Sequence, residues 1–147
     1  MARFKGQAEY SVDSKGRIAI PAKMRNALSA EAKNTFTITR GLDQCINLFP
    51  QDVWEKREEK IGELNMYSAE PRDFVRTLMM WAEEVTLDKQ GRIVVPKPLM
   101  ELAELNETAL ILGSFDHIEI WNPDVFRSHQ QAIGSDYSTL AERVLGK

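Results

Sequence analysis

Polar and apolar residues alternate along Ala8-Glu9-Tyr10-Ser11-Val12, which places Ala8, Tyr10 and Val12 on one side of an extended segment. A period of two predicts a half-buried strand. Turn chemistry follows in Asp-Ser-Lys-Gly (13–16): the aspartate can accept backbone amide bonds and the glycine can take a positive φ. Arg-Ile-Ala-Ile (17–20) then reads as a second short strand with Ile18 and Ile20 facing inward. Pro21 has no amide to give a ladder and suits the start of a helix, predicted over 22–28 at about two turns. "TFTIT" (35–39) and "INLF" (46–49) predict two more strands around a Gly-Leu-Asp turn at 41–43.

The same pattern then returns. "VDSKGRIAIPAKMR" (12–25) is answered by "LDKQGRIVVPKPLM" (87–100), with Asp13, Gly16, Arg17 and Pro21 matching Asp88, Gly91, Arg92 and Pro96 at an offset of 75. Beyond the helix the offset becomes 72, pairing Gly41 with Gly113, Ile46 with Ile118, Leu48 with Ile120 and Phe49 with Trp121. The polar stretch "SAEAKN" absorbs the difference as a loop. Two copies of about 45 residues are an internal duplication, too few for a solenoid. Each predicts β–turn–β–helix–β–turn–β, the second with "ALIL" and "IEIW" around a turn at 113–116. Neither copy alone can bury enough surface to be stable, so one barrel-like core built from both halves is expected.

Between the copies, Val53, Trp54, Ile61 and Leu64, then Phe74, Leu78 and Trp81, recur at helical spacing on either side of Pro71. A helical hairpin broken at Pro71 is expected. Its Met66, Met79, Met80 and Trp81 either contact another subunit or cover the barrel. "DYSTLAERVLGK" closes the sequence as a short, polar-capped helix. The organisation read from these patterns is a repeat at 7–54, a helical insert at 55–82, a second repeat at 83–126 and a C-terminal helical segment at 127–147, a mainly β, α+β fold.

Charge changes this picture. The net charge of −3 argues against a polyanion partner, but residues 1–40 hold eight basic against three acidic side chains, and the remainder eleven against nineteen. A local basic face is what a polyanion meets. No apolar run approaches the roughly 18 residues of a membrane span, and the N-terminus has no apolar stretch behind its basic residues, so neither span nor signal peptide is expected. One cysteine, Cys45, within a buried-looking strand reads as a packed hydrophobe in a reducing cytosol.

Catalytic signals are weak. His117, placed at a strand edge, and His129, on a charged helix, are the only histidines and share no ligand spacing, so no metal is expected. No phosphate-cradling or nucleophile-elbow motif occurs, and neither enzyme activity nor a cofactor is expected. The Asp-x-x-Gly-Arg turns differ, because a turn needs Asp and Gly but not Arg. Arg17 and Arg92 either pair with Asp13 and Asp88 to lock the turns, or project toward phosphates and guanine edges, which their planar fork suits. Both can hold together. Lys15, Lys23 and Arg25 surround Arg17, whereas the second copy offers only Lys89 and Lys97, so the first half should carry more of any contact.

"FKGQAEYSVDSKGRIAIPAKMR", "LDKQGRIVVPKPLM" and "PQDVWEKREEKI" together resemble the MraZ family of bacterial transcriptional regulators with two SpoVT/AbrB-like repeats. The similarity spans essentially the whole chain. It implies a pseudo-two-fold, AbrB-like swapped-hairpin barrel and a cytoplasmic, nucleoid-associated protein. It further implies a ring of subunits that binds double-stranded DNA at short direct repeats upstream of the division and cell-wall gene cluster, including its own operon. The family's Asp-x-x-x-Arg signature falls on Asp13 and Arg17 and on Asp88 and Arg92. With the basic residues around them, the candidate DNA contacts are Arg17, Lys15, Asp13, Arg92, Asp88, Lys23, Arg25, Arg3 and Lys5. Gln90 replaces Lys15 and Pro98 replaces Lys23 in the second copy, which sets equal contact by the two halves against unequal contact. The competing readings are an antitoxin-like module that also captures a protein, and a purely structural interaction protein.

Overall fold

The structure is a computed structural model and describes residues 3–146. The first copy folds as β1 (Gln7–Ser11), β2 (Arg17–Ala19), α1 (Ala22–Asn26), β3 (Thr35–Arg40) and β4 (Ile46–Pro50). The second folds as β5 (Glu83–Thr86), β6 (Arg92–Val94), α4 (Lys97–Leu102), β7 (Thr108–Ser114) and β8 (His117–Trp121). Helices α2 (Gln51–Ile61) and α3 (Ala69–Trp81) stand between them, and α5 (Pro123–Ala132) and α6 (Tyr137–Leu145) follow. The expected succession of elements is therefore present in both copies.

The halves exchange partners. β1 pairs antiparallel with β7 of the other copy, and β5 pairs with β3. Two further pairings cross the pseudo-two-fold: β4 with β8, where Asn47 lies opposite Glu119, and β2 with β6, where Ile18 lies opposite Ile93. One six-stranded sheet in the order β1-β7-β8-β4-β3-β5 results, with a two-stranded ribbon beside it. The expected barrel is not what forms. The sheet is open, with β1 and β5 as its edges. Among the described residues β2 and β6 pair with each other alone, and the prolines at 21 and 96 end both ladders after three residues.

Between ribbon and sheet lies the main core. Ile18, Ile93, Ile38, Ile46, Leu48, Ile111, Ile118 and Ile120 are fully buried there, and Met24 of α1 and Leu99 of α4 close it from either side. The expected alternation is only partly realised in β1: Ala8 is part-buried, but Tyr10 is 36% exposed on this edge strand. Outside the main core, Phe49, Val53 and Trp54 pack beneath Leu78 and Met79 of α3. Trp121 and Leu110 pack beneath Val125 and Phe126 of α5.

Three details correct the sequence reading. The helical insert breaks over 62–68, not at Pro71, which lies in the first turn of α3. Amides of a first turn have no partner inside the helix, so proline there removes no bond. The second hairpin turns on Phe115-Asp116, with Phe115 at φ 72°, and Gly113 and Ser114 belong to β7. Register also sets Gly113 opposite Ile118 as Arg40 is opposite Ile46, so Gly113 occupies Arg40's place, one residue from the match read in sequence. A glycine is required there because a Cβ would lie 2.5 Å from the Lys5 nitrogen. Of the four apolar residues singled out on the insert, Met79 and Trp81 cover buried clusters, whereas Met66 and Met80 are exposed.

Candidate nucleic-acid interface

Every fixed residue of the Asp-x-x-Gly-Arg turn has a structural task. Asp13 Oδ1 accepts the amides of Lys15 at 2.9 Å and Arg17 at 2.8 Å. The Gly16 amide returns to the Asp13 carbonyl at 3.0 Å, with Gly16 at φ 76°. The second turn repeats this: Asp88 Oδ1 accepts the amides of Gln90 at 2.8 Å and Arg92 at 2.9 Å, with Gly91 at φ 75°. Each turn is then clamped to the other copy, Val95 donating to the Gly16 carbonyl at 2.9 Å and Ile20 to the Gly91 carbonyl at 3.0 Å. The variable position, Lys15 or Gln90, is left exposed at the tip.

Both arginines lean on these aspartates. Arg17 Nε donates to Asp13 Oδ2 at 2.5 Å, and Arg92 Nε to Asp88 Oδ2 at 3.0 Å. Arg92 also reaches across the ribbon, its Nη1 lying 3.8 Å from Asp13 Oδ2. Asp13 thus sits between two guanidinium groups. The Arg17 amide, helped by the Arg17 guanidinium and the Lys15 amide against a desolvation penalty, holds Asp13 below the ordinary carboxylate value. The Arg92 amide does the same for Asp88, against its own desolvation and aided by the Gln90 amide and the Arg92 side chain. The pairing of each arginine with the aspartate of its own turn is present. Their side chains are ion-paired, yet remain 31% and 28% exposed at Arg17 and Arg92. Among the described residues no side chain takes the terminal nitrogens of Arg17.

The other candidates divide into three places. Lys15 shares a surface depression with Lys97, at the start of α4, but Glu101 and Glu104 line it too. Arg3, Lys5 and Lys23 line a separate cleft with Tyr10 and Pro21. The segment before β1 reaches that cleft by pairing with the end of β7: Phe4 bridges Phe115, and the Gly113 amide bonds the Gly6 carbonyl at 2.8 Å. The Arg3 guanidinium lies over the Phe115 ring at 4.4 Å. Arg25 is half-buried, its Nε donating to the Ile20 carbonyl at 2.9 Å. Its guanidinium fills the space a Cβ on Gly91 would need, 2.7 Å away, so Arg25 braces the second copy's turn.

Sequence reasoning missed the sharing of Asp13, Lys97 beside Lys15, Tyr10 as a cleft wall, and the bracing role of Arg25. The first could have been foreseen had the copies been paired as a ribbon; no sequence signal marks the last. Cys45 is buried, and burial first, then Glu119 and Asp43, push its thiol up to about 12, which leaves it unreactive. No group of three or more His, Cys, Asp or Glu suited to a metal occurs among the described residues. No helix among them is long and apolar enough to cross a membrane.

Comparison with known proteins identifies the relatives. The family described as MraZ protein matches twice, over residues 3–77 and 78–147. The chain belongs to the MraZ family. A relative from Roseiflexus sp. strain RS-1 is 40% identical over 141 residues, 96% of each chain. One from Natranaerobius thermophilus is 38% identical over 142 residues, 97% of this chain and 96% of its own. One from Syntrophomonas wolfei is 38% identical over 142 residues with the same coverage. All three are named transcriptional regulator MraZ. The two family matches agree with a molecule built from two MraZ units, each contributing one arginine turn to the central ribbon.

Proposed function

We propose that this MraZ-family protein is a transcriptional regulator that binds double-stranded DNA through the face carrying both arginine turns. The observation that carries the reading is the convergence of Arg17 and Arg92 on one short ribbon, paired yet part-exposed, with Lys15 exposed beside them. Nε of each guanidinium is fixed by its aspartate, which orients the planar fork before any ligand arrives. A pre-oriented fork loses less freedom on meeting a phosphate or a guanine edge. Lys15, Lys23 and Lys5 add exposed positive charge and gain affinity by counterion release.

The expected sites are short direct repeats upstream of the division and cell-wall gene cluster, the protein's own operon included, and the working form is a ring associated with the nucleoid. A single face offers few cations. A ring repeats it at fixed spacing, so one bound box raises the effective concentration of the next. The antitoxin-like alternative calls for a tail that wraps a protein partner. Residues 137–145 instead form α6, capped by Asp136 through the Thr139 amide at 2.8 Å.

Gel-shift titration of the promoter fragment tests the reading. Arg17→Ala should weaken specific binding by roughly ten- to a hundred-fold with the fold unchanged. Unaltered affinity in that variant, measured at two salt concentrations, would refute a role for Arg17 at the DNA.

A further inference from the structure

Among the described residues two features lack a partner. One is a cleft of about 440 Å³ between the sheet and the α2–α3 hairpin. Trp54, Phe74 and Leu78 give it apolar walls, and Arg40, Lys60 and Asp43 stand among its lining. Phe74 is 47% exposed there. The other feature is α6. Tyr137, Leu140, Ala141, Val144 and Leu145 follow the i, i+3, i+4, i+7, i+8 spacing of a single apolar stripe. Tyr137, Val144 and Leu145 are 86%, 80% and 73% exposed, and no residue of α6 enters a buried apolar cluster.

We infer that α6 of one copy docks its apolar stripe into the α2–α3 cleft of the next copy. Size and charge both favour this occupant. Tyr137 and Val144 are two turns apart, about 10 Å along the helix, which suits one short helix lying across the opening. Glu142 and Arg143 flank the stripe on opposite sides, and the cleft offers charges of both signs, Arg40 and Lys60 against Asp43. Among the described residues Lys60 has no ion pair of its own. Helix and cleft are different surfaces of one chain, so the contact is heterologous: it leaves a free helix at one end and a free cleft at the other. Repetition of such a contact either closes a ring or grows a filament. The inference deepens the assembly part of the function proposed above and rests on it.

Complementation between surface variants tests it, with light scattering after size exclusion as the readout. Val144→Glu disables the helix and Phe74→Glu the cleft, and both positions are exposed enough for the fold to survive, which circular dichroism verifies. Each variant alone should run as a monomer. An equimolar mixture should give a heterodimer and nothing larger, because one intact cleft meets one intact helix. A monomeric wild type, either variant retaining the wild-type mass, or a mixture that stays monomeric would overturn the contact. Arg17→Ala should keep the wild-type mass. If it loses promoter binding while Val144→Glu still assembles, the docking inference fails and the DNA reading stands; the converse pair of results fails the DNA reading alone.

Discussion

Among the described residues, Asp13 of the first arginine turn carries two guanidinium groups, its own Arg17 and Arg92 from across the ribbon; Asp88 of the second carries only Arg92. The backbones of the two turns are nearly the same, down to glycine φ values of 76° and 75°. Their surroundings are not. The first presents Lys15 at its tip, and the second presents Gln90 braced from behind by Arg25. Duplication has kept what makes the turn and changed what the turn shows to solvent. Arg92 is held by two carboxylates and Arg17 by one, so a competing phosphate has less to displace at Arg17. This favours unequal contact by the two halves.

The core is where the halves should be hardest to tell apart. Ile18 and Ile93 face each other, both fully buried, on the pseudo-two-fold. Truncating either to alanine should cost about 2–5 kcal/mol, by similar amounts, and the double variant should depart from additivity because they share one space. Urea unfolding of the three variants measures this. A cost at one position far above the other would break the symmetry argument.

Gly113 and Gly41 make the next comparison. A methyl on Gly113 meets the backbone of Phe4 and Lys5 at 2.5–2.7 Å, whereas on Gly41 the nearest atom is the Cys45 sulfur at 2.6 Å, followed by the Asn47 side chain and the Cys45 carbonyl at 3.2 Å. Overpacking costs about 1–3 kcal/mol, and more where the neighbour is backbone. Gly113→Ala should also free the segment carrying Arg3 and Lys5 and so lower DNA affinity. Hydrogen exchange at the Phe4 amide reports that release directly, and should not respond to Gly41→Ala.

Charge can be restored to the weaker turn. Gln90→Lys rebuilds at the second tip what Lys15 provides at the first. If that tip lies close to phosphate, the slope of log affinity against log salt should steepen by about 0.9. An unchanged slope would leave the second turn off the DNA and sharpen the asymmetry.

The hairpin tips give the smallest effect. Where the first hairpin turns beside Cys45, the second turns beside His117, which bonds Asp116 at 2.9 Å and lies 3.5 Å from Glu119. Burial opposes charge on this imidazole, but the bonds to Glu119 and Asp116 outweigh it and raise its pKa above the ordinary 6.5. A raised folded-state value stabilises the fold fully below pH 6.5, and that contribution is lost as pH rises through the higher value. Thermal melts of wild type and His117→Gln should therefore diverge below that pH and converge above it.

Much of this was legible in the chain. Period-two alternation named β1 and β2, short strand-like runs on either side of a turn named β3, β4 and their counterparts, turn chemistry named both Asp-x-x-Gly-Arg bends, and a polar cap named α6, because each depends on residues within a few positions of one another. Pro71 misled, since a proline's effect depends on its distance from a helix start that no residue announces strongly. The match of Gly41 to Gly113 misled because sequence shows likeness, while register is set by hydrogen bonds between strands distant in the chain.

What only the tertiary structure decided is who pairs with whom. The exchange of β1 and β5 between halves, the open sheet in place of a barrel, Asp13 held between two arginines and Arg25 packed on Gly91 all join residues more than 40 positions apart. Local propensity carries no information about such contacts. They form because neither copy can hide its apolar face alone, and closing the two copies on each other is what excludes water from both.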